Sequence, residues 1–268
     1  MQKFFSDLLG LPVLASEHGQ QVDALIIYVH WLMIVLFVGW LAYFGYVLLR
    51  FRRSRNPRAD YFGVRSHASN YLEGAVALVE GILLVAVAVP FWAKAVDKFP
   101  KDSDATVIQI VGQQFNWNAR YPGKDGIFGK QEMRWVTDQN LFGVDPNDPN
   151  GKDDIQVNGL GEMHVPLNKP VICYISSKDV IHSFKIIAMR VTQDAIPGMR
   201  IPIWFQPTQT GRFQINCAQL CGNSHFAMSA GILVVDSPED YQKWLSTKTP
   251  GAAQSFEQPR LYRAARRP

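Results

Sequence analysis

The sequence predicts a membrane-anchored all-β protein, with two apolar helices near the N-terminus and a β-rich head behind them. Three observations carry this reading. Apolar residues make up 47% of the 268, and they crowd the first third of the chain. A run of arginines separates two long apolar stretches there. Beyond residue 101, short β-branched or aromatic runs alternate with Gly, Pro, Asn and Asp, the pattern of a sandwich or barrel. Only 19% of residues are charged, a composition that excludes a disordered or collagen-like chain. The net charge of +4 is too mild to argue for nucleic acid.

Residues 1–21 read as a short interfacial segment, because Asp7 and Pro12 break what would otherwise resemble a weak signal peptide. Residues 22–100 form the expected hairpin. Its first span, about 22–49, carries only Asp23 as a charge, and about 20 apolar residues suffice to cross a bilayer. Its second, about 72–92, is interrupted by Glu73 and Glu80. The loop 50–67 between them holds Arg50, Arg52, Arg53, Arg55, Arg58 and Arg65 against one acid, Asp60. Positive charge beside membrane helices stays cytoplasmic, so the N-terminus and the head are expected on the outer side of the membrane.

Residues 101–246 are the β-rich head, with strands expected near Thr106–Ile110, Val171–Ser176, Ser183–Ile187, Arg212–Asn216 and Ala230–Val235. Asp138–Gly161, rich in turn formers, reads as a long surface excursion, and Glu239–Leu245 as a closing helix. Residues 247–268 form an extended basic tail carrying Arg260, Arg263, Arg266 and Arg267.

The stretch that bears chemistry is Cys217-Ala-Gln-Leu-Cys221-Gly-Asn-Ser-His225-Phe-Ala-Met228, between two expected strands, with His182 upstream at the edge of another. Soft sulfur with imidazole suits copper, zinc or iron–sulfur ligation. A Cys217–Cys221 disulfide would leave His225 and Met228 unexplained. A zinc tetrahedron would use Cys217, Cys221, His225 and His182 and leave Met228 as core. A mononuclear copper site would leave one cysteine surplus. A dinuclear copper centre uses all five side chains, with two bridging thiolates, one imidazole for each copper, and Met228 and a backbone carbonyl as weak axial ligands.

The hairpin, Asp179-Val-Ile-His-Ser-Phe184, Asp194-Ala-Ile-Pro-Gly198 and Cys-x₃-Cys-x₃-His-x₂-Met together resemble subunit II of haem–copper cytochrome c oxidases, over about Asp23 to Leu245. The resemblance implies a cupredoxin β-barrel holding a dinuclear copper (CuA) centre. The implied ligands are His182, Cys217, Cys221, His225, Met228 and the main-chain carbonyl of Gln219. It implies a bacterial-type inner membrane location and a role as electron relay. Electrons would pass from a cytochrome c-type donor to haem in subunit I, where oxygen is reduced to water with proton pumping. Subunit I, other oxidase subunits, the donor and the bilayer are the implied partners. A nitrous-oxide-reductase type of protein would lack the hairpin, and a copper-delivery protein would need neither His225 nor Met228.

Departures from the family's pattern limit what carries over. The family usually has Glu where Gln219 stands, and that carboxylate helps bind Mg at the contact with subunit I; a neutral amide is a poorer ligand, which puts the Mg site in doubt. The family's electron-receiving Trp is replaced by Phe115 in Gly112-Gln-Gln-Phe-Asn-Trp117, so Phe115 or Trp117 is expected to take electrons in. In the second span Val76-Ala77 and Glu80 replace the usual Trp-Thr and Pro. Glu73 matches the glutamate at the cytoplasmic mouth of a proton pathway, while Glu80 has no family role. Asp179, Asp145, Asp148, Asp153 and Asp154 are candidates for docking or steering a basic donor. His164 reads as a structural loop residue and Cys173 as a buried hydrophobe.

Overall fold

The computed structural model describes residues 2–58, 61–63, 66–159 and 161–248. Arg65, Asp60 and the four arginines of the tail lie outside the described residues. The chain divides into two units: residues 1–11 with 20–98, and residues 12–19 with the chain from 99 onward.

In the first unit a short helix α1 (Gln2–Leu8) precedes α2 (Gly19–Arg50). At about 1.5 Å per residue, the 32 residues of α2 exceed the roughly 30 Å of a bilayer's hydrocarbon core. The second apolar helix, also long enough to cross a membrane, runs on as α3 (Ala68–Ile82), a π-helical stretch (Leu83–Ala88) and α4 (Val89–Asp97). Pro90 explains the irregularity, because it has no N–H to return to the carbonyl of Ala86. The apolar side chains of both helices point outward: Phe37 and Val85 are each 67% exposed. A core helix of a soluble protein would bury them, so that alternative falls away.

The second unit is a sandwich of two five-stranded sheets. One sheet orders β3 (Ile155–Val157), β2 (Asn116–Tyr121), β1 (Thr106–Gln113), β5 (Val171–Ser177) and β8 (Ile201–Phe205). The other orders β4 (Glu162–Pro166), β10 (Gly231–Asp236), β9 (Gly211–Cys217), β6 (His182–Ile186) and β7 (Val191–Ala195). The pairs β1–β5 and β4–β10 are parallel and the others antiparallel. Ile108, Ile110, Ile175, Phe184, Ile186, Ile215 and Leu233 face inward and form the core. Helix α5 (Pro238–Ser246) closes the chain, its first turn capped by Ser237 Oγ, which accepts from the Asp240 N–H at 3.1 Å.

Two differences from the sequence reading have clear causes. Residues 12–19 do not belong with the interfacial segment but with the β unit. Ala15 N–H donates to Ala188 O at 2.8 Å, Thr208 N–H to Ala15 O at 2.9 Å, and Ser16 Oγ to Met189 O at 2.7 Å. A short segment without periodicity gives no pattern by which such pairing could be read. The excursion is not all surface either: it supplies the edge strand β3, and its Leu141, Phe142 and Val144 bury against Val111 on the outer side of β1. That cover explains why nearly every residue of β1 is buried.

Candidate metal centre

Strand pairing assembles the centre. Phe184 of β6 stands opposite Cys217 at the end of β9, and the Ala218 N–H donates to Ser183 O at 2.9 Å. This register brings His182 beside Cys217, with its ring Nδ1 3.9 Å from the Cys217 sulfur. Gly112 on β1 makes room for the ring, since a Cβ there would lie 3.0 Å from His182 Cδ2 and 2.9 Å from Trp117 Cζ3. Trp117, 1% exposed, packs edge-on to His182 at 5.9 Å and to Phe184 at 5.1 Å.

The loop from β9 to β10 carries the other donors. Cys221 Sγ lies 3.9 Å from Cys217 Sγ, 3.4 Å from His225 Nδ1 and 3.4 Å from Met228 Sδ. The Gln219 carbonyl oxygen lies 3.1 Å from Cys217 Sγ. His225 and Met228 are placed by a 3₁₀ turn, His225–Ala230, that leads into β10. The ligand atoms of His182, Cys217 and Cys221 lie within 4.8 Å of one another, and all three residues are buried. Both thiols are free. Their separation is far beyond a disulfide bond of about 2.05 Å. It is shorter than the roughly 4.6 Å that two metal–sulfur bonds of about 2.3 Å span in line. This donor set fits a soft transition metal.

The titratable groups of the cluster shift in opposite directions. Burial raises the Cys217 thiol's pKa, but hydrogen bonds from His182 and the backbone outweigh it and leave the group well below the ordinary thiol range. Cys221 is raised, by burial and by the neighbouring Cys217 charge. Burial would lower His182, yet its contacts with Cys217 and Asp179 raise it overall. Cys173 is remote in character: fully buried, its thiol is pushed up to about 12 by burial alone.

Other residues singled out from the sequence fall differently. Trp117 is buried beneath His182 and gives a docked donor no surface, so of the two aromatic candidates only the half-buried Phe115 reaches the outside. Asp179 is engaged in the site: its carboxylate accepts from Gln114 N–H at 2.7 Å and Val180 N–H at 2.7 Å, and pairs with His182 Nε2 at 2.9 Å. Asp154 and Asp148 are internal struts rather than steering charges. Asp154 is fully buried against Arg120, and Asp148 accepts from Lys130 N–H at 2.7 Å. Asp153 caps backbone N–H groups of Lys124 and Asp125. His164 sits on β4 rather than in a loop, 2.6 Å from Asp236 and stacked on Trp244. Glu73 and Glu80 are both exposed along the α3 helix.

The sequence reading missed Gln114, whose side-chain amide donates to Cys221 O at 2.7 Å. It also missed Leu220 and Phe226, each 78% exposed beside the candidate ligands. Their positions between and next to ligand residues were the available signal.

Fold and site together define a membrane-anchored, cupredoxin-like protein with a clustered sulfur–imidazole centre. Comparison with known proteins narrows the class. Residues 106–236 match the family described as cytochrome C oxidase subunit II, periplasmic domain. The chain is 32% identical over 244 residues to the alternative cytochrome c oxidase subunit 2 of Bradyrhizobium diazoefficiens, covering 90% of this chain and 84% of that one. It is 30% identical over 238 residues to cytochrome c oxidase subunit 2 of Cereibacter sphaeroides, covering 81% and 75%. The crystal structure of the periplasmic domain of subunit II of cytochrome oxidase from Bradyrhizobium japonicum aligns at 29% identity and a TM-score of 0.41, covering 56% of this chain and 96% of that one. The chain belongs to the cytochrome c oxidase subunit II family.

Proposed function

We propose that this chain receives single electrons from a cytochrome c-type donor and passes them to haem in subunit I of a proton-pumping oxidase. In this reading His182, Cys217, Cys221, His225, Met228 and the Gln219 carbonyl hold two copper ions. The observation that carries it is the convergence of two free thiols 3.9 Å apart with two imidazoles and a thioether. A closed zinc tetrahedron needs four ligands, and this set offers more.

Two copper ions held by these residues would supply storage for one electron at a time. The chain's own residues keep that exchange cheap in nuclear motion. His182 and Met228 are fully buried, and His182 is wedged between Trp117 and the β1 backbone at Gly112. Cys217, paired with Phe184 at the end of β9, and Cys221 are both buried, so water is kept from the thiolates. Phe115 lies over Gly222, its ring 2.9 Å from where a Cβ would stand, next in sequence to Cys221. A donor touching Phe115 therefore has a short path inward. The exposed Leu220 and Phe226 form an apolar rim that a docked partner would dry.

Family membership and the two apolar helices give a membrane anchor with a periplasmic domain. The finer topology proposed is two spans of an inner membrane, an Arg-rich cytoplasmic loop, and the N-terminus on the copper side. Glu73 is assigned to the mouth of a proton pathway into subunit I. Gln219 contributes its carbonyl to copper, and its amide leaves an Mg site without the usual carboxylate.

Stopped-flow mixing of reduced donor with the oxidised holoenzyme tests the relay. The copper absorption should bleach before the subunit I haem is reduced, and Cys221→Ser should abolish both phases. Haem reduction at an unchanged rate in Cys221→Ser would overturn the proposal.

A further inference from the structure

We infer that Gln114, in the β1–β2 turn, and Asp179, in the β5–β6 loop, are positioning residues, a polar clasp that fixes both halves of the copper centre; this rests on the copper reading above. The turn itself supplies no ligand, yet it is bonded to each ligand-bearing segment. The Gln114 backbone N–H donates to Asp179 Oδ2 at 2.7 Å, and Asp179 Oδ1 lies 2.9 Å from His182 Nε2. The Gln114 side-chain amide donates to Cys221 O at 2.7 Å. One residue thus joins His182, through Asp179, to the Cys221 peptide.

Each arm has a chemical consequence. With a carboxylate at Nε2, the proton of the neutral imidazole resides there, which leaves the Nδ1 lone pair facing Cys217. The carboxylate also makes the imidazole a stronger donor, which favours the oxidised metal and lowers the reduction potential. Val180 N–H, 2.7 Å from Asp179 Oδ1, holds the carboxylate in place. The second arm fixes the backbone that carries Cys221 and the following Gly222. Gly222 sits at φ +137°, where L side chains rarely go, and a Cβ there would lie 2.9 Å from Gln114 Nε2. The amide therefore rests directly on the copper loop and limits its movement.

The arms separate experimentally, because a side-chain change at Gln114 leaves its N–H to Asp179 intact. Asp179→Asn removes the charge behind His182, and Gln114→Leu removes only the bond to Cys221. The detergent-purified holoenzyme should be assayed for copper retention against a chelator, midpoint potential of the copper centre, and copper hyperfine splitting. Loss of such outer partners typically weakens metal retention about 10–100-fold. Asp179→Asn should show a weakening of that order with a raised potential. Gln114→Leu should show faster copper loss and altered hyperfine splitting. Asp179→Glu, which keeps the charge, should recover part of the potential.

Unchanged potential, splitting and retention in both variants, in an enzyme whose wild type shows a copper pair, would overturn the clasp. If Asp179→Asn instead left the spectrum unaltered and only flattened the salt dependence of donor oxidation, Asp179 would be a docking charge and the first arm would fall. A wild type without a two-copper signature would remove the reading beneath it. Should Asp179→Asn fail to accumulate, Gln114→Leu decides alone.

Discussion

Replacing Arg120 with Met should cost about 3–5 kcal/mol of stability, the usual penalty for breaking a buried ion pair from one side. Arg120 on β2 and Asp154 ahead of β3 have no exposed side-chain surface. The guanidinium also donates to Gln109 Oε1 at 3.0 Å and Gly129 O at 2.9 Å, and the Gly129 N–H donates to Asp154 Oδ2 at 3.1 Å. These bonds tie Gly129 and Asp154, both in the connection between β2 and β3, back to β2. Asp154→Leu should cost a similar amount, because it strands the cation. The double variant removes both charges, and its deficit should shrink to about 1–3 kcal/mol, set by the Gly129 groups left without partners. Urea unfolding of the detergent-solubilised chain, followed by near-ultraviolet circular dichroism, gives the four free energies of the cycle. A double variant as unstable as the sum of the singles would show that the two charges do not act as a pair, and the reasoning would fail.

Gly112→Ala should destabilise the β unit by about 1–3 kcal/mol through overpacking, since the new methyl meets Trp117 and His182. It should also alter the copper spectrum; thermal unfolding and optical spectroscopy check both, and a wild-type spectrum with wild-type stability would contradict the packing. In metal-free protein, Cys217 should be alkylated at pH 7 ahead of Cys221 and Cys173, because its lowered pKa leaves thiolate present where the other two stay protonated. Site-resolved mass spectrometry across a pH series reads this, and Cys221 reacting first would reverse the assignment. Phe115→Ala should slow donor oxidation without moving the copper spectrum, and an unchanged rate would dismiss Phe115 as the point of electron uptake.

The apolar helices and the clustered sulfur and imidazole side chains were legible because each obeys a local rule. Apolar length marks a span, and the Cys-x₃-Cys-x₃-His-x₂-Met spacing confines four donors to one loop. His182 needed one long-range fact, the β6–β9 register, which strand patterns suggest but do not number. What stayed hidden depended on tertiary partners. Strand β2, Asn-Trp-Asn-Ala-Arg-Tyr, has no clean alternation because both of its faces are buried, with Arg120 neutralised by an acid 34 residues away. Edge strand β8 contains Pro202, which argues against a strand until its place at the end of the sheet is known. The acids of the excursion looked like surface charge in sequence, yet Asp154 Oδ2 is held by Arg120 and the Gly129 N–H, and Asp148 accepts from the Lys130 and Asn150 N–H groups. Asp179 is an exposed acid in sequence and in structure, but only the structure shows that His182 and the Gln114 N–H hold its carboxylate.

The most direct test of the copper assignment is electron paramagnetic resonance of the purified oxidised holoenzyme, paired with metal analysis of the same sample. One unpaired electron shared by two equivalent copper nuclei gives a seven-line hyperfine pattern, expected here with two coppers per chain beyond those of subunit I. A four-line pattern, or zinc in place of copper, would contradict the account.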